Sequence, residues 1–156
     1  MHVRYDMISC FVIRPTPPGG WEFLQLNRSK DDFLGNTWQT IYGTSNPGES
    51  PANAAIRELR EETALVPAEL YQLNDVDVFY IATHDTMWHC ICFCAIVNST
   101  AKIQLNPEHD AHRWLPAETA RDQFMWPGNR RAVDEIKLQI IGNGLAKAQM
   151  RIKLKA

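Results

Sequence analysis

Three things are scarce in this chain, and each scarcity removes a class of explanation. No apolar run approaches membrane-spanning length, so nothing in the sequence reads as a transmembrane helix. Net charge is nearly absent: 16 lysines and arginines face 18 aspartates and glutamates, a formal balance of −2. Such a chain exerts no general pull on polyanions, so neither a nucleic acid nor a membrane surface is an expected partner. A phosphate-rich ligand would have to be held locally, or through bridging cations. Cysteine is sparse too, with four residues and no C-x-x-C pair. Cys90, Cys92 and Cys94 alternate in one apolar run and would share a strand face, while Cys10 stands alone. They read as small buried core residues in a reducing compartment. A zinc site is the sharper alternative, and C-x-C-x-C lacks the two-residue knuckle spacing it needs. The amino terminus has no basic segment leading into a long apolar stretch, which makes the cytoplasm the expected location.

What is present fits one folded unit. A chain of 156 residues, 45% apolar and 22% charged, can bury a core without disulfides, so a single domain over 1–156 is expected. The turn-rich Pro15-Thr16-Pro17-Pro18-Gly19-Gly20 separates two β-like runs, 8–13 and 21–26, and predicts a hairpin. A third short strand is expected over 38–42. Ser50-Pro51 then supplies an N-cap with proline in the first helical position, and 52–63 runs without a breaker. Further strands are expected over 75–81, 87–97 and 111–115, and a helix over 129–141 that stops at Gly142-Asn143-Gly144. The basic, partly alternating tail 147–155 reads as a solvated end or an edge strand. This order of strands, helix, strands and helix predicts a mixed sheet with helices on both faces.

The chemistry is concentrated in Gly43-Thr44-Ser45-Asn46-Pro47-Gly48-Glu49, a seven-residue gap, and Arg57-Glu58-Leu59-Arg60-Glu61-Glu62-Thr63-Ala64-Leu65. At about 100° per residue, Glu58, Glu61 and Glu62 fall within one arc, whereas Ala52, Ile56, Leu59 and Thr63 gather on another face. One face can therefore pack on the sheet while the other presents three carboxylates. Those carboxylates repel one another and sit where the helix dipole also disfavours negative charge. A hard divalent cation would relieve both penalties. An isolated Glu-x-x-Glu-Glu would be a solvated helix end, but the flanking residues point elsewhere.

The segment resembles the Nudix box, G-x5-E-x7-R-E-U-x-E-E-x-G-U with U a bulky aliphatic residue, at every fixed position but one. By background frequencies of roughly 5 to 9% per fixed residue, chance would give the match in on the order of one chain per million. The exception is Ala64, where the pattern has glycine; alanine in the left-handed conformation costs about 1 kcal/mol. Thr44 also replaces a second glycine that many members carry. More loosely, Glu108-His109-x-x-x-x-Trp114-Leu115 and Trp126-x-x-Asn129-Arg130-x-Ala132 are similar to the branch that includes dihydroneopterin triphosphate (or dATP) pyrophosphohydrolase.

The resemblance implies an α/β (α+β) Nudix fold, an α/β/α sandwich with a mixed β-sheet, and hydrolysis of a phosphoanhydride bond. Mg2+, with Mn2+ as its substitute, would be the cofactor, bound by Glu58, Glu62 and Glu108, with Gly43 also at the metal site. Glu61 would complete the set as ligand or as the base that activates water. Arg57 would organise carboxylates such as Glu49 or Glu61. Arg28 would contact substrate phosphates, and Tyr42 and Trp126 would line the base or pterin site. The implied substrate is a nucleoside or pterin triphosphate. A dinucleoside polyphosphate, a nucleotide sugar and a non-catalytic nucleotide-binding domain are the rival readings, and a homodimer is an open option. His84, His89, His109 and His112 come with no nucleophile motif such as G-x-S-x-G, and the proline and glycine turn lacks the lysine and hydroxyl residue of a Walker loop.

Overall fold

In the computed structural model of the protein, a long hairpin begins the fold. Strands β1 (His2–Thr16) and β2 (Gly20–Arg28) flank the predicted turn and pair antiparallel from Ile13↔Phe23 to Thr16↔Gly20. On the side of Ile13 away from the turn the two strands part, and the next segment fills the gap. Here the structure departs from the single strand expected over 38–42. β3 (Trp38–Gln39) pairs with β2, whereas β4 (Ile41–Thr44) pairs with β1. The switch falls at Thr40, whose buried hydroxyl donates to the Cys10 carbonyl at 2.7 Å and so satisfies the backbone where the chain changes partner.

Helix α1 (Pro51–Thr63) follows, capped as the sequence predicts. The Ser50 side chain accepts from the Asn53 N–H, and Pro51 occupies the first turn. Ala64 takes the left-handed position at φ 62°, its N–H bonding back to the Arg60 carbonyl at 2.8 Å. The helix therefore ends in the geometry that glycine would favour, with alanine bearing the strain. Ala64→Gly is expected to stabilise the fold by about 1 kcal/mol, read as a higher denaturation midpoint at unchanged slope.

The remaining strands are β5 (Glu69–Ile81), β6 (Thr86–Ile96), β7 (His109–Pro116) and β8 (Arg151–Ile152). β6 lies parallel to β1 and antiparallel to β5, and β7 runs along the far side of β2. The result is one mixed sheet of eight strands among the described residues, which are 1–155; Ala156 lies outside them. β5 begins six residues before the expected strand, because its register shifts between Gln72 and Val76 and obscures the alternation there. Glu135 holds that irregular stretch by accepting from the N–H groups of Asn74 and Asp75. The tail does supply an edge, β8 pairing with Leu70 and Tyr71 of β5.

Helices cover both faces. One layer is α1 over Ile8, Cys10, Val12, Leu24, Leu26 and Ile41. The other is formed by α2 (Ala117–Ala120) and α3 (Pro127–Glu135) over Phe11, Ile13, Phe23 and the Cys90, Cys92 and Cys94 row. The expected 129–141 helix begins at Pro127 and widens into a π turn over Ile136–Ile141, closed by the Gly142 N–H on the Lys137 carbonyl. A last short helix, α4 (Lys147–Met150), leads into β8. All four cysteines are free and buried. No helix of the described residues is long and apolar enough to cross a membrane.

Candidate metal and phosphate site

The carboxylates converge where α1 crosses the mouth of β4 and the turn before β7. Arg57 is their organiser. Its Nε and Nη2 donate to both oxygens of Glu49 at 2.9 and 3.0 Å, and Nη1 donates to Glu58 at 2.8 Å and to Glu61 at 3.3 Å. Nη2 also donates to the Thr44 carbonyl at 2.9 Å, which ties the loop to the helix. Glu49 in turn accepts from the Asn46 N–H. These bonds hold the Glu49 carboxyl below its ordinary range, with Arg57 the main cause, and push the guanidinium higher still.

Gly43 explains how Glu58 fits. A Cβ at Gly43 would collide with the Glu58 side chain, so only glycine lets that carboxylate lie against β4. Burial raises the Glu58 pKa, Arg57 opposing it. The three helix carboxylates do not share one exposed face as their spacing predicts. Glu61 is 54% exposed, Glu58 is 14% exposed, and Glu62 only 2%. Helical spacing places Glu62 near the packed edge, and the turn before β7 then closes over it.

That turn carries Glu108, exposed, and leads into His109, the buried first residue of β7. The Asn106 side chain accepts from the Glu108 N–H, while Ser29 bonds to the carbonyls of both Pro107 and Glu108. Glu62, Glu108 and His109 thereby bring one ligand atom each to within 4.8 Å of one another. Burial, then Glu108, then Glu58 push the Glu62 carboxyl up to about 10, with Arg28 pulling the other way. Arg28 pairs with His109 in the β2–β7 register, so its charge stands beside the cluster. A buried carboxylate whose Oε2 lacks any hydrogen-bond partner, set among other carboxylates, is a donor set that suits a hard divalent cation.

Tyr42 and Trp126 fall elsewhere. Successive strand residues face opposite ways, so Tyr42 points away from α1 while Gly43 faces it. The Tyr42 hydroxyl accepts from Asn129 of α3 at 2.7 Å, and burial raises its pKa. Trp126, 43% exposed, immediately precedes α3. Asp77 joins them: a Cβ at Gly128 would strike its carboxylate, and Arg131 lies 3.3 Å away. Burial raises the Asp77 pKa, with Arg131 opposing. The structure thus gathers Gly43, Glu49, Arg57, Glu58, Glu61, Glu62, Glu108 and Arg28 on one side, and Tyr42 with the α3 amino terminus on the other. Sequence reasoning missed Asp77 and passed over His109. The signal for Asp77 was a carboxylate at an inward position between Val76 and Val78, both of which face outward.

Residues 7–136 match the NUDIX domain. This chain belongs to the NUDIX domain family. Among relatives of this NUDIX protein, the octanoyltransferase of Myxococcus xanthus is 37% identical over 102 residues, covering 64% of this chain and 28% of that protein. The chain therefore spans under a third of that relative's length. The asymmetrical bis(5'-nucleosyl)-tetraphosphatase of Mus musculus is 33% identical over 104 residues, covering 64% of this chain and 67% of the relative. In structure, the Escherichia coli dihydroneopterin triphosphate pyrophosphohydrolase superposes with a TM-score of 0.67 at 24% identity, covering 90% of this chain and 99% of that one. The α/β/α sandwich expected from the box is thus the fold of the NUDIX structures.

Proposed function

We propose that this protein, as a single NUDIX domain over 1–156, hydrolyses a phosphoanhydride bond in a nucleotide-like compound, using Mg2+ or Mn2+. The first substrate class is a nucleoside triphosphate or dihydroneopterin triphosphate, cut to a monophosphate and pyrophosphate. The observation that carries the reading is the Arg57-ordered set of Glu49, Glu58 and Glu61, the last two sharing a helix end with buried Glu62 and its unpartnered oxygen. A domain that only bound nucleotides would gain nothing from so costly a burial. When bound, a divalent cation supplies charge to screen the diphosphate and to lower the pKa of water.

Glu58, Glu62 and Glu108 are the residues to hold it. Glu61, exposed and held by Arg57 alone, is free to take the proton of the attacking water. Arg28 stands beside this cluster as a phosphate contact, and Tyr42, Trp126 and Asn129 would receive the base or pterin. The mouse relative named for dinucleoside tetraphosphate cleavage supports a second substrate class, dinucleoside polyphosphates. A free sheet edge along 75–81 of β5, with Val76, Val78 and Tyr80 exposed, leaves room for a second copy of the chain.

The test is a panel of triphosphates, dihydroneopterin triphosphate, dinucleoside polyphosphates and nucleotide sugars, with and without each metal, read by product identity. Metal-dependent pyrophosphate release from a triphosphate supports the first class, and hydrolysis of dinucleoside polyphosphates alone replaces it with the second. Turnover of nothing sinks the enzyme reading. Arg28→Ala should weaken triphosphate binding by about 1.5–3 kcal/mol and a shorter diphosphate compound by less. Arg28→Lys should recover part of it. Equal, small changes on both substrates would remove Arg28 from the site.

A further inference from the structure

We propose that His109 donates a ring nitrogen to the same divalent cation as Glu62 and Glu108, making the centre a mixed oxygen and nitrogen site. The proposal rests on the metal-dependent reading above and goes past it in naming a ligand and a metal preference. His109 is shut away from solvent, its side chain 2% exposed, and neither ring nitrogen has a hydrogen-bond partner. A histidine buried for packing alone normally settles at least one of them on a carbonyl, carboxylate or water.

The partner it points to is equally unsatisfied. His109 Nδ1 lies 4.0 Å from Glu62 Oε2, which is too far for a hydrogen bond. Both atoms are orphaned, both are buried, and the Glu108 carboxylate completes the group within 4.8 Å. Ligand atoms around one small divalent cation stand about 3 to 4 Å apart, so a minor side-chain adjustment would let one ion satisfy all three.

The backbone supports the arrangement. His109 is fixed by its register opposite Arg28 and by its N–H on the Asn106 carbonyl, while Glu62 is held in the last turn of α1. Imidazole adds more affinity for Mn2+ or Co2+ than for Mg2+, which prefers an all-oxygen shell. His109 would thus tilt metal choice toward the transition metals without altering the carboxylates.

The experiment is Mn2+ binding to metal-free protein, followed by pulsed electron paramagnetic resonance for directly bonded nitrogen. We expect a 14N imidazole coupling that changes to the 15N pattern when the unaltered protein is grown on 15N-histidine, a readout that needs no variant. In His109→Gln the coupling should vanish, and the Mn2+ to Mg2+ affinity ratio should fall on the order of 10-fold, within the range for lost metal-site support. Mn2+ binding that Glu62→Gln abolishes, but with no nitrogen coupling in the unaltered protein, would overturn the inference and leave the carboxylate site standing. No Mn2+ binding at millimolar concentration would overturn both.

Discussion

Glu62→Gln is expected to cut kcat by about 10²–10³ while making the metal-free protein more tolerant of alkaline pH. The two effects share one cause. Glu62 is buried beside Glu108 and Glu58, and its carboxyl is pushed from an ordinary 4.5 up to about 10. In the folded, metal-free chain it holds a proton that the unfolded chain gives up near pH 4.5. A raised folded pKa means that the stability tied to this proton is complete below about pH 4.5 and is lost as pH climbs toward about 10. Glutamine keeps the shape but has no proton to release, so that loss disappears. Melting temperatures of both proteins in a chelator, at pH 5 and pH 9, should show a wider gap at pH 9, in favour of the variant. Asp77 titrates in both proteins and cancels in the comparison, whereas Glu58, whose charge raises the Glu62 carboxyl, is relieved of that repulsion in the variant and widens the gap in the same direction. Saturating metal should then stabilise the parent more than the variant. Parallel melting curves across pH, or near-normal turnover at saturating Mg2+, would remove Glu62 from the site.

The box was legible because its chemistry is local. Ser50-Pro51 sets the helix start, and the spacing of Arg57, Glu58, Glu61 and Glu62 fixes their order along α1, whatever the rest of the chain does. The core rows were legible for a similar reason, since alternation alone puts Cys90, Cys92 and Cys94 on one strand face. Long-range pairing was not. That Trp38 and Ile41 would join different strands depends on β1 and β2 being apart before Ile13 and pairing only from there to the turn, and no short window records this. Burial of Glu62 likewise depends on β7 bringing the Glu108 turn against α1 across more than 40 residues of chain. His109 shows the limit most clearly. Beside Glu108 in sequence it looks like a loop residue, yet its pairing opposite Arg28 turns the ring inward.

Arg57→Lys should lower kcat by about 10²-fold with little change in KM, and should reduce Tm by about 2–6 °C. Charge is conserved in this substitution, so the loss would come from geometry. The guanidinium spreads its donors over both oxygens of Glu49, one of Glu58, one of Glu61 and the Thr44 carbonyl. An ammonium has three donors around one atom and cannot bridge carboxylates on opposite sides of a plane. Glu58 and Glu61 would then be free to swing apart under their mutual repulsion, and the loop from Gly43 to Glu49 would lose its tie to α1. Positioning fails in that case while the substrate still binds, which is why kcat should carry the effect. If Arg57 instead gripped substrate phosphate, KM would rise and kcat would hold. Glu49→Gln provides the independent check, because it removes one charge from the same network without touching the helix. Should the network act as a unit, the double variant Arg57→Lys with Glu49→Gln will be scarcely worse than Arg57→Lys alone. Fully additive losses would mean that Glu49 and Arg57 act separately, and the organising role assigned to Arg57 would fall.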